Sequence, residues 1–413
     1  MKNIVPTTAS LKNRPFGFSA LNFAGNLFPS KPDLSEDYIL NAAMNSTGLE
    51  NWGSNSFLEG MRELLNACNK EAKLHYFGRQ FLQKGCIRAV KDRLRLQHAF
   101  QKNQEILNTP IEKPVFILGL PRTGTTFLQN LLFQNNHFRH LHYWEQVAIG
   151  PQPTQKNLKD NYIINSCESF VDKLKIIAPE FFIAHEINPY GPEECNGLME
   201  RNFTSIIYFM FRNIPSYINW FLTHDMTETY RYHKQQLQFS GYHFNQKQWV
   251  LKAPVHLFFL KYLFKIYPDA RIIHLHRDPL EILPSMASLV VISRQIHSNH
   301  VNSEETANQI MGWVNKIIIN SIAYRDKTNS NQFLDLAYTD LVEDPMNTLN
   351  HIYKWLKLDI SKEIQSDTST WLKNSRRKRV GNNHVYSLEQ FKLSKSKIRN
   401  EFDQYYDWYK NFI

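Results

Sequence analysis

Residues 114–128 read Pro-Val-Phe-Ile-Leu-Gly-Leu-Pro-Arg-Thr-Gly-Thr-Thr-Phe-Leu. Gly119 and Gly124 stand at the G-x-x-x-x-G spacing of a phosphate-binding loop. The apolar run before them predicts a strand, and Phe127, Leu128, Leu131 and Leu132 recur at helical spacing after them. A strand, a glycine loop and a helix N-terminus aim backbone amides and a helix dipole at one point, which favours an anion there. The triphosphatase form of this loop continues with Lys and Ser/Thr. Here Thr125 and Thr126 follow Gly124, and the cation comes earlier, as Arg122. A guanidinium is planar, forked and always charged. Arg122, Thr123, Gly124, Thr125 and Thr126 therefore suit a terminal oxyanion group held without the usual lysine.

Further candidates lie past other predicted strand ends. The buried-strand run 270–276 closes on Arg277-Asp278-Pro279, where an ATPase strand often ends in a magnesium-holding Asp. Arg277, with Ser285 about two turns into the next helix, could grip one phosphate. A basic run, Arg376-Arg377-Lys378-Arg379, precedes Gly381 and adds anion-binding capacity late in the chain. Lys252 ends the strand 249–252. Glu145 ends a short predicted strand over 140–145. If the site is to take a proton from a bound group, a base must stand within hydrogen-bond reach. Glu145 is the first choice, with His185 and the pair Glu193 and Glu194 as alternatives near a turn. No His, Cys and Asp cluster shows ligand spacing, so no metal is expected.

Strands alternating with helices from residue 111 onward predict an α/β fold, with a P-loop-type parallel sheet flanked by helices. Ligands of such sheets bind at the carboxyl ends of the strands, where Arg122, Glu145, Lys252 and Arg277 would converge. Residues 1–110 read as an N-terminal arm, extended and proline-punctuated to about residue 32, followed by a helical subdomain. Its helices are predicted over 36–46, 55–68, 70–83 and 85–107. Residues 111–413 form the α/β domain, with an aromatic-rich helical cap inserted at 155–245 and a C-terminal segment and tail helix at 374–413.

The composition fits one large domain with helical additions: 413 residues, 42% hydrophobic. The formal charge of +10 favours an anionic partner, and no nucleic-acid-binding motif accompanies it. Cys68, Cys86, Cys167 and Cys195 are scattered, which fits a reducing compartment. The most apolar window, 203–222, is interrupted by Arg212, Asn213 and Pro215, so no transmembrane segment is expected. The reading is a soluble, cytoplasmic protein.

The loop Gly119-Leu-Pro-Arg-Thr-Gly-Thr-Thr resembles the 5′-phosphosulfate loop of sulfotransferases. It is most similar to the bacterial sulfotransferase family with Arg in the loop, and shares the Arg-x-Gly-Thr-Thr form of tyrosylprotein sulfotransferases. Arg277-Asp-Pro with Ser285 resembles the family's 3′-phosphate motif. Residues 376–389, ending His-x-Tyr-Ser-Leu-Glu, resemble the late basic segment that closes over that phosphate. Ala-Met-Asn-Ser-Thr-Gly-Leu, Phe-Gly-Arg and Arg-Leu-Arg-Leu in the helical prefix are also similar to the bacterial family. The resemblance implies 3′-phosphoadenosine 5′-phosphosulfate as sulfuryl donor and adenosine 3′,5′-bisphosphate as product, with no metal. It implies a hydroxyl acceptor on a small molecule, lipid, glycan or phenol. It also puts the catalytic glutamate of tyrosylprotein sulfotransferases at Glu145 and their stabilising lysine at Lys252, in Lys252-Ala253-Pro254. The rival readings are a P-loop kinase-like phosphotransferase and a non-catalytic nucleotide- or polyanion-binding module.

Overall fold

The computed structural model describes residues 16–27, 31–147, 149, 161–185, 187–242, 247–328, 330–379 and 386–412. Five strands form one sheet: β1 (Val115–Gly119), β2 (Phe138–His140), β3 (Gln248–Lys252), β4 (Arg271–His276) and β5 (Phe333–Ala337). All are parallel, in the order β2-β3-β1-β4-β5. Every residue of β1 is buried, as helix-covered parallel sheets require. The chain winds from β1 toward β2 and later passes β1 to reach β4 and β5. The loop after β1 therefore lies where the winding reverses, the ligand position of open α/β sheets. The pairing Ile117↔Lys252 sets the end of β3 beside this loop.

The strands are as the apolar runs predict, with one change. The sequence read 140–145 as a strand ending in Glu145. The observed strand is Phe138–His140, and Glu145 lies in the helix Tyr143–Val147. The chain turns between them: Glu145 Oε2 accepts from the amide of His142 at 2.8 Å.

The N-terminal part also differs from expectation. Where an extended arm was predicted, Phe16–Leu27 is a helix. It docks on the next long helix, with Asn22 Oδ1 accepting from the Phe77 amide at 2.8 Å. The predicted helices 70–83 and 85–107 are instead one helix, Tyr76–Lys102, followed by the 3₁₀ turn Gln104–Asn108. His75 caps it, its Nδ1 accepting from the Gly78 amide. Gly85 reads as a break, yet the helix continues through it because tertiary packing outweighs local propensity. Leu64, Leu82 and Val90 of this part share one hydrophobic core with Phe116, Leu118 and Leu251 of the sheet.

Two buried arginines fasten the long helix to the cap. Arg93 donates to Arg201 O and Asn202 Oδ1. Arg201 donates to Asp92 Oδ2 (3.0 Å), Gln236 Oε1 (3.0 Å) and Gln146 O (2.6 Å). These bonds satisfy the guanidinium of Arg201 on all its nitrogens, as a buried charge requires.

Candidate active site

The loop after β1 is tightly constructed. Thr123 is fully buried, and its amide and hydroxyl both donate to Leu120 O, at 3.2 and 2.8 Å. A Cβ on Gly119 would come within 2.4 Å of that hydroxyl oxygen, so only glycine fits there. Gly124 takes φ +90°, the left-handed region that favours glycine, and closes on the ring of Tyr338. Arg122 also has positive φ, +75°, which costs a non-glycine residue about 1–2 kcal/mol. Strain of this kind concentrates at ligand-binding sites.

Arg122 is the hub of a cationic group. Its Nε donates to Ser285 Oγ at 3.0 Å, and its carbonyl accepts from Arg277 Nη1 at 2.8 Å. Arg277 also pairs with Glu281 at 2.8 Å and lies 4.0 Å over the ring of Tyr338. Burial lowers the pKa of Arg122; Tyr386 acts to raise it, and the guanidinium of Arg277 lowers it further. An anion between the two arginines would relieve both unfavourable effects. The fold thus gathers Arg122, Arg277 and Ser285 at one edge of the sheet. Asp278 does not pair with Arg277; it caps the helix Pro279–Gln295 and accepts from Tyr406.

Lys252 forms the second cationic element. Its side chain is 1% exposed, and Nζ donates to Thr126 Oγ1 (3.2 Å) and to Glu194 Oε1 (2.6 Å). The segment bearing Glu193 and Glu194 is pinned to the sheet by its own backbone. Glu193 N donates to Leu141 O at 2.8 Å, and Cys195 N donates to Lys252 O at 2.9 Å.

Glu145 sits elsewhere. Its side chain is wholly buried and paired with Arg139. It does not line the cavity beside the loop, whereas Glu193, Glu194 and His185 do. The His185 ring packs against Phe181. Of the basic run, Arg376, Arg377, Lys378 and Arg379 end the helix Lys362–Arg379, but their side chains, and Gly381 altogether, lie outside the described residues.

The cavity has a volume of about 260 Å³. Its mouth is polar, formed by Arg122, Thr125, Thr126 and Glu194, and its body is apolar, with Phe81, Phe170, Phe181, Phe211 and Leu289. Phe181, Tyr208 and Phe211 of the cap line it, while Phe209, Tyr217 and Phe221 lie in the core, which Tyr208 also joins. The N-terminal helices show no chemistry in their sequence, yet Phe81, Gly85, Cys86 and Arg88 line one part of the cavity. Arg212 also lines the cavity; the visible signal was a charge inside the most apolar window of the chain.

Among the described residues there are two clusters of ligand-type side chains. His274, His276 and Asp335 form one, and Asp335 is already held by both Arg325 and His276. Cys195, His233 and His256 form the other, with Tyr267 and Tyr230 hydroxyls on the two Nδ1 atoms. None of the six side chains lines the cavity, although Cys195 directly follows Glu194 and His276 directly precedes Arg277. Among the described residues, no helix is long and apolar enough to cross a membrane.

The five-stranded parallel sheet and the lysine-free glycine loop after β1 define a P-loop-like α/β fold. The sequence profile of the Sulfotransferase family matches residues 114–362, and the chain belongs to that family. It is 24% identical over 255 residues to omega-hydroxy-beta-dihydromenaquinone-9 sulfotransferase Stf3 of Mycobacterium bovis. That match covers 60% of this chain and 63% of Stf3, a little under two thirds of the relative's length. Among solved structures, sulfotransferase STF1 from Mycobacterium tuberculosis H37Rv is similar with a TM-score of 0.81 and 29% identity, covering 91% of this chain and 100% of that one. Sulfotransferase STF9 from Mycobacterium avium gives a TM-score of 0.84 at 25% identity, covering 92% and 98%.

Proposed function

We propose that the protein transfers the sulfuryl group of 3′-phosphoadenosine 5′-phosphosulfate to an acceptor hydroxyl, by in-line displacement at sulfur. In this reading the loop 119–126 cradles the 5′-phosphosulfate. Arg277 and Ser285 take the 3′-phosphate, and the basic segment 376–381 closes over it. The reaction is mainly positioning and charge stabilisation. Arg122 and Lys252 are the cations for the sulfuryl oxygens and the departing phosphate. The observation that carries the reading is Lys252, whose ammonium bridges Thr126 of the loop and the carboxylate of Glu194 at the cavity mouth. This favours Glu194, with Glu193 beside it, over Glu145 as the base that takes the acceptor's proton.

The apolar body of the cavity suits a hydroxyl carried on an apolar molecule, and Stf3 is itself named for an omega-hydroxy-dihydromenaquinone. The four cysteines are buried and free, as in a reducing compartment, and the proposal places the protein in the cytoplasm.

The test is calorimetric titration with adenosine 3′,5′-bisphosphate, with ATP as control and no added magnesium. The bisphosphate is expected to bind at least tenfold more tightly than ATP. Arg277→Ala should weaken it by about tenfold to a hundredfold, the worth of a charge-assisted hydrogen bond. Preference for ATP, or a requirement for magnesium, would sink the proposal in favour of a kinase-like phosphotransferase.

A further inference from the structure

A second charged group lines the same cavity and has no part in the scheme above. Arg88 comes from the helix Tyr76–Lys102, Glu200 from the end of the helix Asn196–Glu200, and Arg212 from the turn before the helix Pro215–Thr223. Arg212 is 5% exposed, and its Nε is buried with no partner. The residue makes no hydrogen bond or ion pair among the described residues. Arg88 Nη2 stands 3.7 Å from Glu200 Oε2, too far for a hydrogen bond.

Two guanidiniums thus face one carboxylate. With Glu200 ionised the group carries one net positive charge, and with Glu200 protonated it carries two. Burial raises the pKa of Glu200 against the opposing pull of Arg88, Arg212 and Arg201. The excess is positive in either state. A buried guanidinium with no partner is costly, and a ligand that supplies the counter-charge removes the cost. Aromatic and aliphatic walls share the cavity with this group and with the Glu194 mouth.

We propose that the acceptor is an amphiphile: its apolar body fills the aromatic part of the cavity, and a carboxylate remote from its hydroxyl is bound by Arg212 and Arg88. A forked guanidinium donates two parallel hydrogen bonds to a carboxylate, which gives orientation as well as affinity. The direction of the hydroxyl rests on the sulfotransferase reading; the anion site rests on Arg212 and Arg88 alone.

The test uses the full chain saturated with adenosine 3′,5′-bisphosphate and two probes, ω-hydroxylaurate and its methyl ester, with binding read by calorimetry near neutral pH. The acid is expected to bind at least about tenfold more tightly than the ester. Arg212→Gln should reduce that lead to about twofold, while Arg212→Lys keeps most of it. If Arg212→Gln does not fold, Arg88→Gln, at an exposed position, should still cut the lead several-fold. Equal binding of the two probes, no binding of the acid, or a lead that survives Arg212→Gln would overturn the proposal. Because the readout is binding, the two proposals fail separately. In a separate turnover assay, with 3′-phosphoadenosine 5′-phosphosulfate in place of the bisphosphate, a clear lead without sulfuryl transfer would sink the enzymatic reading and leave the anion site standing. Transfer without a lead would do the reverse.

Discussion

Two glutamates compete for one role, and their surroundings separate them. Glu194 shares the Lys252 ammonium with the phosphate loop and opens on the cavity. Glu145 is spent on Arg139 and on the His142 amide, with no exposed surface. Glu194→Gln should lower kcat by about a hundredfold or more, the usual contribution of a positioned base. Its affinity for adenosine 3′,5′-bisphosphate should stay within about twofold. Glu145→Ala should instead take the ion-pair partner from the buried Arg139 guanidinium, at a cost of about 3–5 kcal/mol in urea unfolding, with turnover per folded molecule retained. The reverse pattern would return the base to Glu145. The sequence made Glu145 attractive because it lies just beyond a short strand. Spacing alone could not say that the chain turns at His142 and sends this carboxylate inward. By contrast the loop was readable residue by residue, since Gly119, Arg122, Gly124 and the two threonines carry their geometry in their types.

At the scale of elements, the helix Tyr76–Lys102 makes a cavity out of what would otherwise be an open sheet edge. It packs tightly at Gly78, where an added Cβ would lie 2.1 Å from the carbonyl oxygen of His297. One turn on, Phe81 meets the ring of His297 edge-on at 5.2 Å, and both line the cavity. Gly78→Ala must therefore push the helix away from a backbone atom that cannot yield. Overpacking of this kind costs about 1–3 kcal/mol, and the displaced wall should raise the acceptor KM while bisphosphate affinity is kept. Equal loss of both would mean that the helix supports the donor site as well. The strands and the helices after them were legible because an apolar run and its terminating Arg, Lys or Gly are local signals. The helix Phe16–Leu27 and the unbroken passage through Gly85 were not, because both depend on partners far along the chain. Arg88 was hidden for the same reason, and Arg212 stood out only as a charge inside an apolar window, which does not tell that it faces a cavity.

Over the whole molecule, the ten-charge basic excess suits an anionic donor, but it is the buried histidines that set how stability responds to pH. His140 and His233 are sunk in the core, and burial holds each pKa down at about 3. His142, His256, His274 and His276 are lowered in the same direction, again chiefly by burial. A histidine neutral in the fold but free to charge in the unfolded chain, where its pKa is about 6.5, leaves stability intact above that value. As the pH falls below it, the unfolded chain takes up protons first and stability drains away. For His140 and His233 the loss at pH 5.5 is about 1.4 kcal/mol each, so about 3 kcal/mol together, and the other four act in the same sense. Asp335, held well below the carboxylate range against its burial by Arg325 and His276, adds a second loss only at more acid pH, below about 4. Against a total of about 5–15 kcal/mol, the histidine contribution is large. Urea midpoints measured from pH 8 downward should be flat to about pH 7 and fall steeply between about 6.5 and 5. Replacing His140 and His233 together by Gln should flatten that slope. A midpoint that stays constant to pH 4 would mean the imidazoles charge within the fold, which their burial forbids unless acid opens the core around them.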